Sequence, residues 1–163
     1  MKQRYMYLFF VPIILLLFVF SSISQSASSS TNWRTDYQQA YKRLQEHQKY
    51  GKNKALLTKI EAELKSSEKT MTAAEQLLTK KPINKQVANS LVTKLDNHAK
   101  NLDNLTSSFG SESLSSTTLS STDKTTQMTP EQMLALQSSM QTSLSNITKI
   151  TRDMQMSIIL NLR

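Results

Sequence analysis

The stretch that decides the fold is LTKIEAELKSSEKTMTAAEQLLTKKPINKQVANSLVTKLDNHAKNLDNL, residues 57–105. In its first half Leu57, Ile60, Leu64, Ser67, Met71, Ala74 and Leu78 alternate steps of three and four. On a helix of 3.6 residues per turn this spacing keeps every named side chain on one stripe, the a/d seam of a heptad pattern. Lys80-Lys81-Pro82-Ile83-Asn84 interrupts the seam, because proline lacks an N–H and pushes the residue before it out of the helical region. A second seam follows at Ala88, Leu91, Leu95, His98, Leu102 and Leu105 with the same alternation. Two seams joined by so short a connection fold back as an antiparallel hairpin. Folding about Pro82 sets Leu64 opposite Leu102, Met71 opposite Leu95, and the polar pair Ser67 and His98 opposite each other. His98 is then either a pH-sensitive switch in the seam or a core histidine satisfied by Ser67.

Upstream, Trp33, Tyr37, Tyr41 and Leu44 recur every three or four residues, which makes Asn32 to Tyr50 an amphipathic helix ended by Gly51. Its aromatic stripe needs a covering surface: the next two helices, or a membrane. Downstream, Thr106 to Thr126 holds 14 Ser or Thr in 21 residues. Such a composition buries too little apolar surface to offset its ordering entropy, so residues 106–128 are expected to form a disordered linker. Thr129-Pro130-Glu131-Gln132 is a strong helix start, with an N-cap Thr, a proline at the first helical position and a Gln three residues after the cap. From there Met133, Leu136, Met140, Leu144, Ile147, Ile150, Met154, Ile158 and Leu162 keep helical spacing without Gly or Pro. This helix is about 50 Å long and would be unstable alone in water, so a partner is implied. That partner is either the hairpin of the same chain or another subunit.

The first residues carry Lys2 and Arg4, then an apolar run from Leu8 to Phe20, then Ser21, Ser22, Ile23, Ser24, Gln25 and Ser26. A basic start, a short apolar core and small residues after it make residues 1–26 a secretory signal. The alternative is an uncleaved anchor, since about 20 apolar residues suffice to span a bilayer. Either reading takes the rest of the chain, including the hairpin domain over 27–105, out of the cytoplasm. The net charge of +8 is concentrated between residues 34 and 100, which hold 14 basic and 7 acidic side chains. That surplus is either a solvated helix face or a surface for an anionic ligand or membrane, and export argues against nucleic acid.

Catalytic chemistry is not legible. The chain is 163 residues long with 2 Gly and no Cys, which excludes a Gly-rich phosphate loop, a thiolate nucleophile and a cysteine zinc site. His47 and His98 lack a second ligand at metal-binding spacing, and Glu61 and Glu63 point to different faces of one helix as solvated charges. The expectation is an all-α, non-enzymatic protein without a cofactor.

Pro130-Glu131-Gln132-Met133-Leu134-Ala135-Leu136-Gln137, followed by Lys149-Ile150-Thr151-Arg152-Asp153, Ile158-Ile159 and Arg163, resembles the C-terminal helix of type III secretion needle and inner-rod subunits. The turn at Pro82-Ile83-Asn84-Lys85-Gln86 is similar to the needle's helix-turn-helix corner. The resemblance implies an exported structural component of a secretion apparatus, whose C-terminal helix packs on copies of itself or on other subunits. Lys149, Arg152 and Asp153 would then make polar contacts between copies, and the stripe from Met133 to Leu162 would be the assembly surface. The rival expectation, taken from the charge, is a monomeric binding module with a basic surface.

Overall fold

In the computed structural model, residues 33–50, 53–115 and 128–163 are described; the signal or anchor segment lies outside them, as does most of the expected linker. The described residues form four helices and no strand: α1 (Trp33–Tyr50), α2 (Lys54–Thr79), α3 (Lys85–Ser115) and α4 (Pro130–Asn161). The all-α class and the hairpin follow the heptad pattern.

The starts of α2, α3 and α4 are built as caps, that of α4 as the sequence marks it. The Asn53 side chain accepts from Leu56 N at 2.9 Å and opens α2. Asn84 Oδ1 accepts from Gln86 N at 3.0 Å and Val87 N at 3.1 Å, which restarts the chain after a cis Lys81-Pro82 bond. Thr129 and Gln132 form a full capping box with Pro130 in the first turn of α4. These bonds satisfy N–H groups that a helix start otherwise leaves without partners.

Neighbours run round the bundle in the order α1, α2, α3, α4 and back to α1, and α4 packs most extensively on α3. Helices α2 and α4 also meet across the centre. From α1 to α3 the gap is bridged by large rings: the His47 imidazole stands edge-on to Phe109, with centroids 4.9 Å apart. Trp33, Tyr37, Ala40 and Leu44 of α1 are buried with Leu57, Ile60, Leu64, Met71 and Ala74 of α2. Helix α3 adds Ala88, Leu91, Leu95 and Leu102 to the same core. The aromatic stripe of α1 therefore faces its own chain.

Two expectations need correction. The linker does not begin at Thr106, because α3 continues to Ser115 and buries Phe109. Ser and Thr are poor but admissible helix formers when their hydroxyls bond back to the preceding turn. Thr106, Ser107 and Ser108 do so, to the carbonyls of Leu102, Asp103 and Asn104. The second correction concerns the C-terminal helix. Leu136, Met140, Leu144, Ile147, Met154 and Ile158 are buried in the core of this chain, and Ile150 and Leu162 are partly buried against it. Met133 is half-buried at the start of α4. The stripe thus completes a four-helix bundle within the chain.

Candidate functional site

The bundle's polar features fall into a layer at mid-height and a charged surface. At the centre of the layer, Tyr37 OH donates to Ser67 Oγ at 2.9 Å, and Ser67 Oγ donates to the Leu64 carbonyl at 3.1 Å. Thr151 of α4, whose own hydroxyl donates to the Ile147 carbonyl at 2.8 Å, approaches the same Tyr37 hydroxyl. Burial pushes the Tyr37 hydroxyl up to about 12. Tyr41 OH donates to Glu68 at 2.9 Å, and burial followed by that carboxylate raises it as well.

Ser67 therefore belongs to Tyr37 and not to His98. His98 lies between two residues that flank Ser67 on α2: its Nδ1 is 2.6 Å from Glu63 Oε1 and its Nε2 is 3.0 Å from Thr70 Oγ1. Asn101 Nδ2 donates to the other Glu63 oxygen at 3.3 Å. The hairpin register is thus close to the expected one, while the partners differ. Glu63 is not a solvated charge; its side chain is 16% exposed and that of His98 is 13%. Glu61 on the next face behaves as expected, held below the usual carboxylate range by Lys65 and Gln48.

Carboxylate, imidazole and hydroxyl in line is the order of a hydrolytic relay. Here the hydroxyl cannot serve as a nucleophile, because Thr70 is buried within α2 and its Oγ1 also donates to the Ser66 carbonyl at 3.1 Å. Two recesses among the described residues lie at the bundle's ends. One of about 660 Å³ is bordered by Arg43, Tyr50, Leu136 and Ser139, and one of about 240 Å³ by Lys81, Pro82, Ile83, Lys85, Asn161 and Leu162. Neither opens on His98. No cluster of three His, Asp or Glu side chains suited to a metal occurs among the described residues. No helix among them is long and apolar enough to cross a membrane.

His47, read from sequence only as a residue without a metal partner, is 4% exposed. Burial beside Phe109 lowers its pKa, and the Leu136 backbone opposes the shift.

On the surface, acids are mostly committed. Glu75 chelates Arg34, Glu46 holds Arg43 at 3.3 Å, Asp96 holds Lys100 at 2.6 Å, and Asp103 of α3 pairs with Arg152 of α4. Of the residues singled out for contacts between copies, Arg152 is thereby used within the chain, while Lys149 and Asp153 are exposed. Lys54, Lys59, Lys80, Lys81 and Lys85 are exposed, and none takes part in these ion pairs. No protein-family model matches the chain, and no curated protein or solved structure matches it either.

Proposed function

We propose that this chain is a non-enzymatic, exported helical-bundle module that binds an anionic partner through its surplus of lysines. The observation that carries this reading is the charge distribution. The acids Glu61, Glu63, Glu68, Glu75, Asp96 and Asp103 are taken up by partners within the bundle, while Lys54, Lys59, Lys80, Lys81 and Lys85 remain in solvent outside its ion pairs. A net positive surface on a stable scaffold raises the local concentration of anions and speeds their encounter. Export is supported by the order of Lys2, Arg4, the apolar run and the serines that follow. The inward-facing stripe of α4 favours a monomeric module over a filament subunit that assembles through that helix.

The test is a titration of the Asn32–Arg163 unit, which contributes the whole described core. Polyglutamate and phosphatidylglycerol vesicles serve as probes at low and physiological salt. Binding to at least one, weakening as the Debye length falls from about 30 Å to about 8 Å, is the expected result. Indifference to both at low salt would overturn the reading.

A further inference from the structure

One end of the bundle combines charge with exposed apolar side chains. Helix α2 ends there at Thr79, the turn carries Lys80 and Lys81, and α3 begins with Lys85. Helix α4 ends against the same turn, since Asn161 and Leu162 border one recess with Lys81, Pro82, Ile83 and Lys85. Helix α1 starts at this end too, because Arg34 in its first turn pairs with Glu75 one turn before the end of α2. Neither residues 76–95 nor residues 154–163 contain an Asp or Glu. The acids of this end are Glu75, which is paired with Arg34, and Asp36 in the first turn of α1, set against Lys80, Lys81, Lys85 and Arg163.

Among these cations Val87 is 46% exposed and Leu160 is 54% exposed, with Ile83 half-buried in the turn. Cations interleaved with protruding aliphatic side chains suit a lipid headgroup layer over acyl chains. The sequence adds an independent reason. The apolar run Leu8 to Phe20 precedes Trp33, and the uncharged, serine-rich stretch from Ser21 to Asn32 connects them. Its reach is at most about 40 Å. Retained in a bilayer, the run would tether the bundle by the end that carries the lysines.

We infer that this end is a docking surface for an anionic lipid bilayer, with Lys80, Lys81 and Lys85 engaging headgroups and Val87 and Leu160 reaching the interface. The inference rests on the anion-binding reading above and narrows it to one partner and one end of the molecule.

The experiment is flotation of the Asn32–Arg163 unit with phosphatidylcholine vesicles, with and without phosphatidylglycerol, so that residues 1–31 contribute nothing. The unit should bind only the anionic vesicles. Each lysine near a charged surface is worth about fivefold in affinity, so Lys80→Gln, Lys81→Gln and Lys85→Gln together should weaken binding on the order of 100-fold. Lys49→Gln, Lys54→Gln and Lys59→Gln, at the opposite end, remove the same charge and should weaken it only about twofold. Val87→Ser with Leu160→Ser should cost about tenfold. Replacing the three turn lysines by Arg should preserve binding, which separates charge from folding. Equal losses for the two lysine triples would overturn the inference and leave general anion binding standing. Binding of polyglutamate without vesicles would do the same. Failure of both probes would remove both readings.

Discussion

Tyr37 and Ser67 are joined by a hydrogen bond of 2.9 Å between two fully buried residues, and the bond links the first helix to the hairpin. A buried polar pair of this kind fixes which face of α1 meets α2, because any other rotation takes the Tyr37 hydroxyl away from its buried acceptor. Tyr37→Phe should cost about 1 to 2 kcal/mol in urea unfolding, since it orphans an acceptor while keeping the ring. A loss of less than a few tenths would show that the bond contributes nothing to the docking of α1.

Alkaline stability follows from the same residue. The Tyr37 hydroxyl is pushed up from 10.0 to about 12 by burial, so the unfolded chain releases its proton first as pH rises. Stability is therefore complete below pH 10 and declines between 10 and 12, by about 3 kcal/mol for Tyr37. Tyr41 shifts in the same direction. Denaturant midpoints across that range should fall for the native chain and fall less for Tyr37→Phe.

Acid should act through His47. Its pKa is lowered from 6.5 by burial, so the unfolded state takes up a proton that the folded state resists. The contribution is complete above pH 6.5 and is lost as pH drops below it, until the folded state also protonates. His47→Leu keeps an apolar side chain beside Phe109 and should flatten this part of the stability profile. An unchanged slope would mean that another group is responsible.

Met154→Glu places a charge in the core between helices, whereas Gln155→Glu adds one on a half-buried flank about 100° away. Helix α4 lies in the bundle, so Met154→Glu should lower unfolding stability by several kcal/mol while Gln155→Glu changes it little. Sedimentation of the native unit should give a monomer. If Met154→Glu dissolved an oligomer and left stability intact, α4 would be an assembly helix after all.

Gly110 in α3 offers a stabilising change. A Cβ there would meet the terminal amide nitrogen of Gln141, the far end of a flexible side chain that can move aside. Gly110→Ala should then gain about 0.5 to 1 kcal/mol through helix propensity, read as a raised melting temperature. Gly110→Leu, which cannot be accommodated by a rotamer of Gln141 alone, should lower it.

Much of this fold is legible in the chain, and the places where reading stops have physical causes. The 3,4 alternation gave the helix faces, and Lys80 to Asn84 gave the turn. It could not say that Ser67 looks toward α1, because a heptad seam defines a face against one partner and the bundle supplies three. Glu63 and Thr70 could have been found as partners of His98: they stand one turn either side of Ser67, within reach of a residue set opposite it. The continuation of α3 was hidden by serine and threonine content. Its signal was the seven-residue step from Leu95 to Leu102 to Phe109, which carries the seam through the polar stretch. The two outcomes open for α4, a partner within the chain or beyond it, have the same hydrophobic pattern. Only the space between α1 and α3 distinguishes them.

The place of α4 between the first and third helices has a consequence for how the chain reaches its final state. Met140, Leu144, Ile147 and Ile158 share one core with Trp33 and Tyr37, residues more than a hundred positions earlier. A chain delivered N-terminus first, from a ribosome or through a pore, presents three helices whose shared interior is still open on one side. Local helix formation can proceed at once, but the long-range closure waits for the last residues to arrive. The molecule thus locks late, once α4 is in place.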